Sequence, residues 1–339
     1  MAGMGQATRS RSGRATGKLT IGFVLARSFT LSAFALFVDT LRLASDRYDR
    51  SGRVSADWQV LASSRHFITS SCGVQVAPTS DFPDPGAFHY IVVVGGLLGT
   101  EPVVDNRTIQ FLKQADEKKV PLIGLCTGSF ILAEAGLMGG HETCVSWLHY
   151  RAFRERFPDL DVRADRLFHL DHHRGSCVGG SSAADMAALI IRQSLGNDAE
   201  RNALEVLQID KARNDRDVQV RRPLQLDCQD TRVKAVLILM EQTLEDSLTI
   251  EALAGSVGLS RRQLERLFSR ELDLSPSQAY HRIRMEKALS LLRNTKAPLI
   301  EIALELGMDN ASHFTQVFRR VFGITPTQAR KDAASQDAP

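Results

Sequence analysis

No run in the 339 residues approaches the roughly eighteen consecutive apolar positions of a membrane-spanning helix. The first residues also lack the apolar stretch of a secretory signal, so a soluble cytoplasmic protein with no membrane contact is expected. Cysteine is sparse: Cys72, Cys126, Cys144, Cys177 and Cys228 are scattered without a C-x-x-C pair. An odd, dispersed set argues against a disulfide framework or a zinc site and leaves reduced thiols. Neither a metal nor a cofactor is expected. Acidic residues are missing from positions 1–18, which hold four basic side chains and no periodic apolar residues. That stretch is expected to be a disordered basic tail.

Net charge is only +3, but it is unevenly shared. Residues 261–330 carry twelve basic against seven acidic side chains, while the body before them is acidic. A basic C-terminal segment commonly meets phosphate. With 43% hydrophobic residues the chain can form two or three domains with real cores. The reading is a tail over 1–18, an α/β domain over 19–205, a charged, proline-interrupted linker over 206–229, an all-α domain over 230–330, and a disordered tail over 331–339.

The α/β domain alternates strand and helix. "LTIGFVLA", "WQVLAS", "YIVVVGG" and "VPLIGLC" read as buried strands, and "LSAFALFVDTLRLASDRY" and "RTIQFLKQADEKK" as helices. That order predicts a flavodoxin-like, doubly wound parallel sheet, with ligands in the crevice beyond the carboxyl ends of its strands. Two glycine-marked strand ends arrive there: Gly95, Gly96 and Leu97, and the G-x-C-x-G frame around Cys126. The second matches a nucleophile elbow, a tight strand-to-helix turn that lifts one side chain into a cleft. Backbone N–H groups at these turns could receive a carboxylate or oxyanion. Trp147 and His149 in "SWLHY" follow a strand end on the side where the elbow opens, so Trp147 could face a cationic ligand. The histidine-rich "FHLDHHRGS" reads as a hairpin turn between strands, Leu167–Leu170 and Ser176–Val178, rather than a metal or catalytic site.

The run "YIVVVGGL…VPLIGLCTGSFILAEAGLMGG" resembles the class I glutamine amidotransferase-like superfamily, over roughly the first 200 residues. Enzymes of that superfamily pair the elbow cysteine with a histidine and a carboxylate, because an unactivated thiol is mostly protonated near neutral pH. Here Thr127 stands where one branch carries histidine, and the position where that branch places a glutamate falls near Ala33, with no acid close. Cys126 therefore reads as part of a sensor crevice. Its alternatives are a cysteine hydrolase or amidase and a thiol redox sensor.

From Thr231 onward the chain reads as almost entirely helical and repeats itself. "IEALAGSVGLSRRQLERLFSRELDLSPSQA" superposes on "IEIALELGMDNASHFTQVFRRVFGITPTQA" at an offset of 49, which becomes 50 after one inserted residue. Each unit is a helix, a glycine-containing turn and a second helix. Ser260 with Gln263 forms a capping-box signature, and Asn310 is a good N-cap. The outer faces carry Arg261, Arg262, Glu265 and Arg266, then Ser312, His313, Gln316, Arg319 and Arg320. A helix from about Gln278 to Leu292, with Arg282, Arg284 and Lys287, separates the units. Such a spacer could hold two recognition helices about 34 Å apart, one turn of DNA.

"ASHFTQVFRRVFGITPTQAR" resembles the signature of the AraC/XylS family of transcription regulators, over about one hundred residues. An amidotransferase-like domain followed by this module is similar to the GlxA-type subgroup, which includes regulators of arginine, carnitine and glycine betaine catabolism. The resemblance implies base contacts from Arg262, Glu265, Arg266, Ser312 and Gln316. Arg282, Arg284, Arg319 and Arg320 become candidates for phosphate contacts. It further implies double-stranded DNA, a small effector and RNA polymerase as partners, a homodimer, and an activator whose front domain senses a metabolite without turning it over.

Overall fold

The structure, a computed structural model, describes residues 18–46, 50–99, 103–215, 217–221, 223–224, 228–246 and 248–336. The basic tail expected over 1–18 lies outside these apart from Lys18. The described residues fall into two compact units, one drawn from 1–137, 172–174 and 179–213, the other from 138–171, 175–178 and 214–339.

In chain order the elements are β1 (Leu19–Leu25), α1 (Leu31–Ser45), β2 (Ala56–Leu61), β3 (Ile68–Thr69), β4 (Gln75–Val76), β5 (Tyr90–Val94), α2 (Asn106–Glu117), β6 (Leu122–Leu125) and α3 (Gly128–Glu134). They continue as β7 (Thr143–Cys144), α4 (Tyr150–Arg156), β8 (Val162–Arg163), β9 (Phe168–Leu170), β10 (Arg174–Cys177), α5 (Ser182–Leu195) and α6 (Asn197–Val206). The helical part comprises α7 (Thr231–Gln242), α8 (Ile250–Ser256), α9 (Arg261–Leu272), α10 (Pro276–Asn294), α11 (Leu299–Glu305), α12 (Ala311–Phe322) and α13 (Pro326–Gln336).

The main sheet has the order β2-β1-β5-β6-β10-β9. Its first four strands pair in parallel, which is the flavodoxin-like order that reverses direction between β1 and β5. Near-continuous apolar strands suit a sheet covered on both faces, and Ile21, Phe23, Ile91, Val93, Leu122 and Ile123 are fully buried. The histidine-rich segment is a hairpin turn, with β9 and β10 antiparallel on either side. Its Asp171 bonds His141 Nδ1 at 2.6 Å, and no group of three or more His, Cys, Asp or Glu among the described residues is arranged to hold a metal ion.

Among the described residues between Val206 and Thr231 there is no helix or strand. Hydrogen bonds hold that connection at two points. Buried Asp185 of α5 receives the backbone N–H and guanidinium of Arg213 at 2.6 to 2.9 Å. Gln219, also buried, accepts from Trp147 N–H at 2.9 Å and donates to the Val145 and Arg166 carbonyls at 2.8 and 2.9 Å.

The repeated residues converge on one core in the helical module: Leu253 with Ile302, Ala254 with Ala303, Leu264 with Phe314, and Phe268 with Phe318 are all buried. Gly258 and Gly307 take matching left-handed conformations, φ 69° and 67°, at the turn of each unit. One residue separates Gly258 from the cap Ser260, whereas two separate Gly307 from the cap Asn310. The last helix runs to Gln336, past the boundary at Arg330 that the sequence suggested.

Candidate functional site

At the elbow, β6 ends at Leu125, Cys126 takes a left-handed φ of 55°, and α3 begins at Gly128. A side chain in that conformation is lifted off the strand direction and out of the fold. The surrounding glycines are there because backbone meets backbone. A Cβ on Gly95 would lie 2.3 Å from Gly128 N, one on Gly124 2.5 Å from Ser129 N, and one on Gly128 2.1 Å from Val93 O. The polar groups of the turn are used inside the protein: Gly95 N–H donates to Leu125 O at 3.0 Å, and Thr127 Oγ1 donates to Gly96 O at 2.9 Å. Gly95 therefore offers no N–H to an anion. Leu97 is exposed, its N–H bonded to Ser28 O at 3.2 Å.

Cys126 is half-buried. Among the described residues its Sγ has one hydrogen-bond partner, Thr30 Oγ1 at 3.3 Å. Gly179, from the loop after β10, packs so closely that a Cβ there would meet Cys126 Cβ at 2.9 Å. A hydroxyl does not act as a general base toward a thiol at neutral pH as an imidazole would, so Thr30 does not supply one. Neither Thr30 nor Gly179 was singled out in the sequence. The signals were present, since Thr30 occupies the N-cap position of α1 and Gly179 begins a Gly-Gly pair after a strand.

Trp147 and His149 belong to the other unit. The Arg221 guanidinium lies 4.2 Å from the Trp147 ring centroid and pairs with Glu241 at 2.5 and 2.9 Å. His149 is the N-cap residue of α4, and burial lowers its pKa.

The candidate nucleic-acid interface comprises α9 and α12. The Ser260–Gln263 capping box forms, and Asn310 Oδ1 accepts from the Ser312 and His313 N–H groups at 2.8 and 3.3 Å. These caps replace partners that the first turn of a helix lacks and so fix where each helix starts. Leu264, Leu267 and Phe268 turn inward from α9, and Phe314 and Phe318 from α12. Arg262, Arg266, Ser312, His313, Gln316, Arg319 and Arg320 are exposed. Arg262, Arg266, Arg319 and Arg320 have no ion-pair partner among the described residues, so their charge is available to a polyanion.

The other candidates are more engaged. Arg261 bonds Glu265 at 2.8 Å and Glu251 at 2.7 Å, which raises its pKa and ties a second base-reading candidate, Glu265, into the same pair. Arg282 bonds Glu286 at 3.3 Å. Arg284 is half-buried over the Tyr280 ring, at 5.2 Å. Burial lowers its pKa. Spacing alone could not reveal which outward positions are occupied by neighbours.

Fold and site together define a DNA-binding module with two helix-turn-helix units, carried behind a flavodoxin-like domain with a cysteine elbow. The helix-turn-helix domain family matches residues 253–332, and the DJ-1/PfpI family matches residues 44–156. The HTH-type transcriptional regulator GbdR of Pseudomonas aeruginosa is 33% identical over 314 residues, covering 92% of this chain and 84% of the relative. The regulator CdhR of the same organism is 31% identical over 314 residues, 91% and 90% of the two chains. GlxA of Rhizobium meliloti is 29% identical over 319 residues, 93% and 96%. The chain belongs to this family of HTH-type transcriptional regulators with a DJ-1/PfpI domain, and it is a DNA-binding transcriptional regulator.

Proposed function

We propose that the chain is a ligand-responsive activator of a catabolic operon, acting in the cytoplasm as a homodimer that recruits RNA polymerase. Its DJ-1/PfpI-like domain serves as a sensor without turnover. The effector is a small nitrogen-containing metabolite, an amino acid or a betaine-like molecule, bound at the elbow beside Cys126 and Thr127. Binding shifts the equilibrium between two arrangements of the DNA-reading module through differential affinity for them.

One observation carries this reading: the elbow thiol is presented by a left-handed turn, and among the described residues its hydrogen-bond partner is a threonine hydroxyl rather than an imidazole. The turn has the form of a nucleophile elbow, and the threonine partner favours binding over turnover. A thermal-shift screen of amino acids and betaines tests it, because a molecule that binds only the native state raises its stability by about 2.7 kcal/mol at a hundred times its Kd. The expected result is a saturable rise in Tm, with the added molecule recovered unchanged and the rise lost in Cys126→Ala. Product formation abolished by Cys126→Ser would establish a hydrolase instead. Peroxide-dependent DNA affinity would establish a redox sensor.

A further inference from the structure

The spacer α10 joins the two helix-turn-helix units, and one side chain of α4 also reaches both. Arg151 directs three nitrogens to three carboxylates in different parts of the chain. Its Nε donates to Glu155 Oε1 on the same helix at 2.7 Å, its Nη1 donates to Glu305 Oε1 at 2.8 Å, and its Nη2 lies 3.8 Å from Glu245 Oε2. Glu305 is the last residue of α11, the first helix of the second helix-turn-helix unit. Glu245 stands between α7 and α8, at the entry to the first. A guanidinium, with five N–H donors in a rigid fork, can serve several acceptors at fixed angles.

The segment that carries Arg151 is itself fastened to α7. The Trp147 ring, just before α4, lies 4.2 Å from the Arg221 guanidinium, which donates to both carboxylate oxygens of Glu241 on α7 at 2.5 and 2.9 Å. Gln219 bonds the Trp147 N–H and the Val145 and Arg166 carbonyls, so the chain at 219–221 is pinned to the segment between β7 and β9. In turn α7 packs against α8 and α9. Contacts thus lead from the first unit through the α4 segment to α11 without passing through α10. Exposed ion pairs add little stability one by one. Their effect here is on position, because without the guanidinium three carboxylates face one centre and repel.

We propose that Arg151 is a positioning residue for DNA reading, which sets the separation of the two helix-turn-helix units and so the half-site spacing that the protein accepts. A duplex presents its half-sites at intervals fixed by the helical turn, so a small displacement of α12 relative to α9 is read as a wrong spacing. The proposal rests on both units reading DNA, and it requires no effector. It also gives the two arrangements of the DNA-reading module a physical difference: an event that draws Arg151 away from Glu305 changes the spacing accepted.

The test uses the full-length protein and a duplex that it selects from a random-sequence library, with the half-sites located by footprinting. The same duplex with one base pair inserted or removed between the half-sites gives the comparison, and the wild type should bind the selected spacing most tightly. Arg151→Ala should lower that preference by about three- to five-fold, the scale of an exposed ion-pair network. Glu305→Gln should lower it similarly, and the double variant no further, because both remove one interaction. Arg154→Ala, which removes an exposed positive charge from the same helix, should leave the preference within about 1.5-fold. If Arg151→Ala fails to fold, Glu305→Gln against Arg154→Ala decides. An unchanged preference in the folded Arg151 or Glu305 variant, an equal loss in Arg154→Ala, or additive losses in the double variant overturns the proposal and leaves the two-unit reading standing. Wild-type binding that ignores spacing overturns both.

Discussion

Replacing Gly96 with alanine tests the claim that the elbow is assembled by direct backbone packing. The new Cβ would lie 1.7 Å from the Ser28 carbonyl oxygen, 2.6 Å from its carbon and 2.7 Å from Phe29 Cα. All three are backbone atoms, so no side-chain rotamer relieves the overlap. The two segments must separate by about 1.5 Å or more before ordinary van der Waals distances return. That movement removes the Leu97 N–H to Ser28 O bond of 3.2 Å and strains the Thr127 to Gly96 bond of 2.9 Å. Gly96 is not in the left-handed region, so the whole effect is steric. Overpacking of this kind costs about 1–3 kcal/mol and each net hydrogen bond lost about 1 kcal/mol, which gives roughly 2–4 kcal/mol. Urea unfolding in a Trp147→Phe background, where emission reports Trp58 in the same unit, measures it. Gly139→Ala, where an added Cβ meets nothing within 4 Å, is the control and should stay within about 0.5 kcal/mol. A loss below about 1 kcal/mol at Gly96 would refute the packing argument.

Two further outcomes are expected. On a double-stranded operator, Arg319→Ala and Arg320→Ala should each reduce the slope of log affinity against log salt by about 1, whereas Arg261→Ala should change it less because Glu265 and Glu251 already hold that guanidinium. Equal slopes in all three variants would remove Arg319 and Arg320 from the phosphate contacts. Burial, with the positive charge of Arg284, His313 and Arg320, lowers the His281 pKa. The unfolded chain then binds a proton at a pH where the folded chain does not, so stability falls as pH drops below the ordinary histidine value of about 6.5. His281→Gln should flatten that fall between about pH 6.5 and 5 in pH-dependent denaturation, and an unchanged slope would contradict the assignment.

Local signals made most of the fold legible. Apolar strands before glycines, the G-x-C-x-G turn, and the twofold helical repeat with its caps are short-range patterns, and the elbow, the capping box and the Asn310 cap all stand where those patterns put them. What the sequence hid depends on contacts between distant positions. Thr30 reaches Cys126 from 96 residues away, and Gln219 ties the Trp147 backbone from 72. Trp147 follows a strand end as expected, yet its ring faces Arg221 from the connecting segment, a pairing that no spacing rule encodes. The outward faces of α9 and α12 were readable from helical periodicity. Which of their arginines stay unengaged was not, because Glu251 approaches Arg261 from the preceding helix.

The turns of the two helical repeats differ in length by one residue, although their glycines adopt the same conformation. Identical presentation of two probes requires identical hinges beneath them, and here the second probe is reached by a longer step. One side displays arginine and glutamate while the other displays serine, histidine and glutamine. If both outer faces read bases, a site made of two dissimilar halves should be bound more tightly by one copy than a direct repeat of either half.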